Sequence, residues 1–270
     1  MRDILLRVFF KGFFILVVIE AAYAQKLDYL DKTFVLDSIR YSELLKEQEF
    51  LEYDVKVGFF SVGIINFRKF FRENSNVILS EVKGYTKGLA KLFFNLDVDY
   101  KSFFLEKEFI PLLLVKLIKE GDQKKIEEIS FDNNLKRAYY QNKKNEEGEF
   151  FFYENKMFDL FSGFNFFRSN INTIYKDSST FHMPYIHNGS GIKTLKIELV
   201  GIDKILISNI LFKAIKFLCV FESTNKLFEK KTEVYFWVSD DKYNLPLYIE
   251  TKTRISKVKI ELKNAPSYLK

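Results

Sequence analysis

Alternation of apolar and polar side chains near the carboxyl end constrains this chain most. Apolar residues or threonine occupy every second position from Val234 to Val238 and again from Leu247 to Ile255. A period of two predicts β-strands, because successive side chains of a strand point to opposite faces. The intervening residues 240–246 include aspartate, asparagine and proline, which favour a turn. The carboxyl end is therefore predicted to form a β-hairpin.

Comparable alternation recurs along the chain and is interrupted by turn-forming residues such as those at 74–76 and 121–122. The predicted strands lie at 51–57, 62–67, 77–83, 97–104, 112–119, 125–131, 135–141, 150–154, 195–199 and 257–262, with two more between 204 and 221. We therefore predict an all-β fold, in which an antiparallel curved sheet closes into a barrel or half-barrel. The pattern alone does not distinguish these closures from a two-sheet sandwich.

One segment has helical rather than strand periodicity. Leu160, Phe161, Phe164 and Phe167 recur at the spacing of one helix face, and Asp159 precedes them as an N-cap. We predict one short helix near residues 159–168. Its phenylalanines would either pack on the sheet or line an apolar interior.

The amino terminus has the three parts of a secretory signal peptide. Basic residues precede an apolar core at 13–19, and Ala22 and Ala24 provide the small residues that signal peptidase selects. Cleavage is predicted after Ala24, which assigns residues 1–24 to the signal peptide and 25–270 to a single β-rich domain with a periplasmic location. Retention as a membrane anchor is the alternative, although the apolar run is shorter than the roughly 20 residues that a spanning helix needs.

The charge pattern is that of a solvated surface. The net charge is +6, but lysines stand beside carboxylates along the whole length, as at 124–128 and 230–233. Since no stripe of one sign forms, nucleic acid is not a predicted partner. A peripheral contact with an anionic membrane surface stays open.

Cys219, His182 and His187 are the first candidates for a chemical centre. Cys219 is the only cysteine, so the chain forms no intramolecular disulfide, and its place among alternating apolar residues predicts a buried, inert thiol. His182 and His187 are the only histidines, and without cysteines or a carboxylate cluster nearby they are interpreted as loop or surface residues rather than metal ligands. No metal and no cofactor is predicted.

Two carboxylate pairs, the aspartates at 240–241 and the glycines within 58–63 are further candidates for chemical sites. Glu52 with Asp54, and Asp97 with Asp99, each share one strand face and could serve glycoside hydrolysis, but a solvated strand face is the simpler interpretation. The aspartates at 240–241 are interpreted as turn residues rather than a calcium site. The glycines within 58–63 have the wrong spacing for a phosphate loop, so bends or β-bulges are predicted there.

Five segments, at 49–63, 84–88, 120–132, 159–168 and 237–246, resemble in order the landmarks of the exported bacterial "domain of unknown function 3108" family. This resemblance implies an envelope protein, in a bacterium with an outer membrane, with a curved sheet or barrel and no established activity. No catalytic residue is implied.

The sequence therefore predicts an exported envelope protein that is not an enzyme, and it assigns no catalytic, cofactor-binding or metal-binding residues. The leading hypothesis is a binding or carrier module for an apolar or amphipathic ligand, such as a lipid or a lipoprotein acyl chain. A structural protein that holds envelope proteins together is the alternative. A glycan-directed hydrolase is a third hypothesis.

Overall fold

The computed structural model describes residues 46–71, 76–143, 147–176, 178–222, 231–253 and 256–263. The predicted signal peptide, residues 1–24, lies outside them. In the first half the strands are β1 (Lys46–Val57), β2 (Phe60–Phe71), β3 (Val77–Thr86), β4 (Leu96–Leu105), β5 (Pro111–Glu120), β6 (Gln123–Asp132), β7 (Arg137–Asn142) and β8 (Glu147–Phe152). The second half contains β9 (Phe158–Asp159), β10 (Thr180–Ile186), β11 (Ile192–Ile207), β12 (Ile210–Glu222), β13 (Lys231–Ser239), β14 (Pro246–Lys252) and β15 (Lys257–Leu262). Two helices are described, α1 (Ala90–Phe93) and α2 (Leu160–Ile174).

All fifteen described strands belong to one sheet, in the order β8-β7-β6-β5-β4-β3-β2-β1-β15-β14-β13-β12-β11-β10-β9. Neighbouring strands are antiparallel except β9 and β10. The first and last described strands pair in the middle, with Val55 opposite Ile260. This single curved sheet confirms the predicted barrel or half-barrel and not the sandwich.

The two edges of the sheet, β8 and β9, are consecutive in the chain and joined by residues 153–157. Side chains rather than a described backbone ladder bring the two ends together. Leu114 of β5, Ile129 of β6 and Ala138 of β7 share a buried cluster with Ile186 of β10. The sheet therefore curls almost into a barrel, and apolar packing closes its seam.

The predicted carboxyl-terminal hairpin is confirmed. Strands β13 and β14 pair antiparallel, with Phe236 opposite Ile249. Strand β14 ends at Lys252, and Ile255, the last residue of the predicted strand, lies outside the described residues.

The strand predicted at 195–199 and the next one, predicted after 204, are a single strand. Strand β11 runs through Gly201 for 16 residues, and one extra residue between Leu199 and Gly201 is absorbed as a β-bulge. A bulge leaves one residue unpaired while the ladder continues on both sides. The strand pair β11–β12 is consequently a single long hairpin.

Strand β10 was missed because its sequence contains Pro184. Proline cannot donate to a ladder and is tolerated only at or near a sheet edge. On one side Pro184 faces Thr194 of β11, while the two-residue β9 pairs only with Tyr185 and Ile186. Near-edge placement thus accommodates the proline.

Helix α2 confirms the predicted helix and extends it by six residues, from Arg168 to Ile174. Asp159 caps it as predicted, because its Oδ1 accepts hydrogen bonds from the backbone N–H groups of Phe161 at 2.8 Å and Ser162 at 3.1 Å. The side chain of Ser162 in turn accepts from the backbone N–H of Asp159, which completes a capping box.

Candidate functional site

A cavity of about 190 Å³ lies between helix α2 and the sheet. Its walls are almost entirely hydrocarbon and aromatic side chains, and none of the lining residues carries a charge. The lining consists of Tyr53, Ile65, Phe67, Val82, Leu160, Phe161, Phe164, Met183, Leu195, Ile197, Cys219, Val234, Phe236, Pro246, Ile249 and Ile260.

The cavity walls follow directly from the strand alternation. Val234 and Phe236 of β13 are two residues apart, as are Leu195 and Ile197 of β11, so each pair projects from one face. The wall draws on nine neighbouring strands, from β10 to β15 and on through β1 to β3. The hairpin that predicted the fold class therefore also supplies part of the site.

Polar side chains at every third position of α2, from Asp159 to Arg168, anchor the helix to the sheet. The Asp159 carboxylate is fully buried and accepts a hydrogen bond from the Ser102 hydroxyl of β4 at 2.8 Å. Burial raises the pKa of Asp159 above its ordinary value, although its hydrogen-bond donors oppose that shift. Nearly two helix turns later, Asn165 Nδ2 donates to the Ser80 hydroxyl of β3 at 3.0 Å.

Arg168 makes the strongest of these anchors. Its guanidinium binds Glu49 of β1 through two hydrogen bonds, Nη1 to Oε2 at 3.0 Å and Nη2 to Oε1 at 2.9 Å. Its Nε also donates to the carbonyl oxygen of Asn244 at 3.0 Å, and the Asn244 side chain returns a bond to the Arg168 carbonyl. Burial alone would raise the pKa of Glu49, but the hydrogen bonds and charge of Arg168 hold it below its ordinary value.

The opposite face of α2 is aromatic and packs on the second half of the sheet. The Phe167 ring meets the rings of Phe217 at 5.1 Å and Phe236 at 5.8 Å, both edge to face. The ring centroids of Phe164 and Phe236 are 6.4 Å apart, and Phe164 also lines the cavity. Because one face is anchored by hydrogen bonds and the other by aromatic packing, α2 is held as a fixed wall of the cavity.

The helix approaches β10 closely at Gly163. A Cβ atom there would lie 2.4 Å from Sδ of Met183, which is far inside van der Waals contact. A larger residue at 163 would therefore require the buried Met183 side chain to move.

A buried ion pair, Lys116–Glu127, connects the two ends of the sheet. Lys116 Nζ of β5 donates to Glu127 Oε2 at 2.6 Å and to the carbonyl oxygen of His187, just beyond β10, at 2.5 Å. The Tyr140 hydroxyl donates to the other oxygen of Glu127 at 2.7 Å. Burial alone would raise the pKa of Glu127, but Lys116 and Lys125 lower it to about 2. Sequence reasoning missed this network, whose only signal was the single lysine within the apolar run of β5.

Cys219 is buried, as predicted, and lies in the cavity wall. Burial raises the pKa of its thiol well above the ordinary value. Since the thiolate is the nucleophilic form, the position supports the prediction of an inert thiol.

His182 is an exposed residue of strand β10, and His187 lies in the loop after β10, as interpreted, although its side chain is buried. Within the described part of the chain, no three side chains among histidine, cysteine, aspartate and glutamate are placed to hold a metal ion.

The carboxylate pairs lie on strand positions that alternate with cavity-facing or buried positions. Glu52 and Asp54 flank Tyr53 on β1 and form ion pairs with Lys263 at 2.5 Å and Lys87 at 2.6 Å. On β4, Asp97 is exposed, whereas Asp99 is partly buried, which raises its pKa, and lies 3.7 Å from Lys83. None of these four carboxylates is among the residues that line the cavity.

The turn and bend predictions are also confirmed. Asp241 Oδ1 accepts hydrogen bonds from the backbone N–H groups of Tyr243 at 2.8 Å and Asn244 at 3.2 Å. Gly58 has a φ of +59° in the β1–β2 turn, and Gly63 lies beside a shift in the β1–β2 register. A Cβ at Gly63 would approach the Tyr85 carbonyl oxygen to 2.9 Å.

A bilayer-spanning helix would need more length and more continuous apolar character than either described helix has.

Comparisons with known proteins agree with this architecture. Residues 52–263 match the model of a family described as "Protein of unknown function (DUF3108)". No curated protein matches the sequence. Among solved structures, a β-barrel-like protein of domain of unknown function DUF1849 from Brucella abortus is similar, with a TM-score of 0.54 and 5% identity over 81% of this chain and 96% of that one. At that identity the likeness concerns the fold alone.

Proposed function

The chain belongs to the DUF3108 family, whose description states no function. From the apolar cavity we propose that the protein is a non-enzymatic binding or carrier module for an apolar or amphipathic ligand. A lipid or a lipoprotein acyl chain has the required chemistry. The single observation that carries this proposal is the apolar cavity of about 190 Å³ beneath α2.

The cavity is partly open to the surface and is larger than an ordinary packing defect. Protein interiors pack at the density of organic crystals, and voids larger than a water molecule are few. Water gains little there, since a buried water needs two to four polar partners. Tyr53 and Cys219 carry the only hydroxyl and thiol of the wall, and the Tyr53 hydroxyl already donates to the Pro246 carbonyl at 2.9 Å. An apolar guest is therefore favoured over solvent.

The same walls limit what part of a ligand can be held. Among the residues that the structure describes, no lysine, arginine or carboxylate lines the cavity, so a charged head group would lose its hydration without gaining a partner there. We infer that the bound portion is hydrocarbon and that any polar head of an amphipathic ligand stays outside.

We propose that this binding takes place in the periplasm, which the predicted leader peptide supports. The basic segment, the apolar core at 13–19 and the cleavage pattern at Ala22 and Ala24 support export. An amino-terminal sequence of the protein isolated from cells should begin at Gln25. An uncleaved chain recovered from the cytoplasmic fraction would contradict the export proposal.

Native mass spectrometry of the protein isolated from its own cell envelope tests the binding proposal. We expect an added mass that survives gentle ionisation and is released on denaturation, with the chromatographic behaviour of a lipid. Recovery of ligand-free protein only, with no uptake of fatty acid or phospholipid in vitro, would contradict the proposal. Capture of a stoichiometric protein partner by crosslinking in cells would then favour the structural alternative.

A matched pair of substitutions on β11 connects the ligand to the cavity. Ile197 lines the cavity and is buried, whereas Ile192 on the same strand is 41% exposed. We expect Ile197→Trp to fill the space and abolish ligand uptake, while Ile192→Trp leaves it unchanged. Circular dichroism confirms that both variants are folded, and equal uptake by both would place the ligand elsewhere.

A further inference from the structure

The hairpin β11–β12 is apolar on both faces towards its tip, which is unusual for a strand pair at the surface. On one face Ile207, Phe212 and Ala214 are buried. On the other face Leu206 and Leu211 are directly paired across the hairpin, yet they are 60% and 61% exposed. Binary patterning ordinarily places polar residues on a solvent face.

The exposed face has a regular composition, set by the strand register. Leu206 pairs with Leu211 at the tip, Lys204 pairs with Lys213 in the next row, and Ile202 pairs with Ile215 in the row after that. Two apolar rows thus enclose a basic row on one surface. We call these six residues the exposed hairpin face.

This face continues into the cavity wall. Along β12, Leu211, Lys213 and Ile215 alternate on the same side as Phe217 and Cys219. The β-bulge between Leu199 and Gly201 lies on the partner strand β11, and the pairing of β12 with β13 has no register shift. Ile215 packs against the buried aromatic cluster under α2 that contains Phe217, and Cys219 lines the cavity. One surface of the sheet therefore extends from the cavity to an exposed apolar tip.

The geometry points to the exposed hairpin face as a docking surface for an anionic lipid membrane. Leucine and isoleucine side chains enter the boundary between head groups and acyl chains, while lysines remain at the level of the phosphates. The charges favour this occupant, because Lys204 and Lys213 lie between the apolar rows and the chain carries a net charge of +6. Asp240 contacts Lys213 at 2.5 Å and offsets part of this charge.

A second copy of the chain fits the face less well. A two-fold interface brings the same patch of both copies together, so the two lysine rows would meet inside an apolar contact. Like charges placed opposite each other are destabilising. A layer of lipid phosphates removes this repulsion.

Membrane binding through the exposed hairpin face does not depend on whether the cavity holds a ligand. Its test is co-sedimentation of the purified chain with vesicles of phosphatidylglycerol and phosphatidylethanolamine, compared with phosphatidylcholine alone. All variants are compared with the wild type prepared in the same way, so any contribution from the amino terminus cancels. We expect binding to the anionic vesicles that weakens as salt is raised.

Two double variants separate the apolar and basic contributions. We expect Leu206→Ser with Leu211→Ser to weaken binding at least tenfold, because both exposed side chains lose their apolar contact with lipid. Lys204→Gln with Lys213→Gln should weaken binding by about fivefold per lysine at low salt and remove most of the salt dependence.

A control from another exposed site sharpens the result. Phe59 and Phe60, in the β1–β2 turn, are 100% and 77% exposed, and Phe59→Ser with Phe60→Ser should leave vesicle binding unchanged. Unchanged binding by the leucine variant, or loss of binding through the phenylalanine variant instead, would overturn the proposal. A wild-type dimer that the leucine substitutions convert to a monomer would assign the face to a second copy. Thermal unfolding followed by circular dichroism checks that each variant is folded.

Discussion

Loss of the Arg168–Glu49 pair should loosen α2 from the sheet while leaving the strands in place. Both side chains are buried, at 6% and 7% exposure, and two hydrogen bonds join them. The substitution Arg168→Met keeps the length of the side chain but leaves the Glu49 carboxylate without its main partner. Lys69, 3.9 Å away, compensates only in part.

The magnitude follows from the burial of the charge. Breaking a buried ion pair by removing one partner costs about 3–5 kcal/mol, because the remaining charge is desolvated without compensation. When Glu49→Leu is combined with Arg168→Met, no charge remains unpaired. The double variant should then lose only about 1–2 kcal/mol, since the carbonyl oxygens of Tyr243 and Asn244 still lose their donor.

Urea unfolding at pH 7, followed by circular dichroism, gives the free energies for this cycle. The matched control is Arg137→Met, because Arg137 forms an exposed pair with Asp132 at 3.5 Å, and such surface pairs contribute about 0–1 kcal/mol. Hydrogen exchange should be faster in α2 of the Arg168 variant than in the central strands. Equal costs for Arg168→Met and Arg137→Met, or a double variant as unstable as the sum of its parts, would refute the reasoning.

Three further predictions concern the packing at Gly163, the loss of stability at low pH and the reactivity of the Cys219 thiol. Gly163→Val should destabilise the fold by about 1–3 kcal/mol in urea unfolding, because its Cβ would meet Met183 Sδ at 2.4 Å, and a second substitution Met183→Ala should recover part of that loss. Since the pKa of Glu127 falls to about 2 in the folded state, its contribution of about 3 kcal/mol is present above pH 4.5 and is lost as the pH falls towards 2. A Lys116→Met, Glu127→Leu variant should show a flatter acid dependence, and an unchanged slope would contradict this assignment. Cys219 should react with a thiol reagent at pH 8 only when the protein is unfolded, and rapid native labelling would show that the cavity wall opens.

Local periodicity was enough to predict most strands, because alternation is a property of neighbouring residues. The hairpin around Val234–Val238 and the cap at Asp159 were predicted correctly for this reason. The failures have tertiary causes. Gly201 does not end a strand because a bulge absorbs one residue, and Pro184 is allowed in β10 because β9 is so short.

The anchors of α2 were only partly visible in the sequence. The polar residues from Asp159 to Arg168 recur every three positions, which marks one helix face. Their partners on β4, β3 and β1 are between 57 and 119 residues away in the chain. Periodicity identifies a face but carries no information about what that face contacts.

Local patterns in the sequence were sufficient to predict alternating strands and a capped helix, and the sequence identifies the chain as a member of the DUF3108 family. The curling of the sheet until nine strands surround one cavity, and the burial of His187, depend on tertiary contacts. The physical reason is that alternation fixes which side chains share a face, whereas curvature depends on twist, bulges and packing summed over many strands. The apolar face of each strand was therefore predictable, but the cavity that these faces enclose was not.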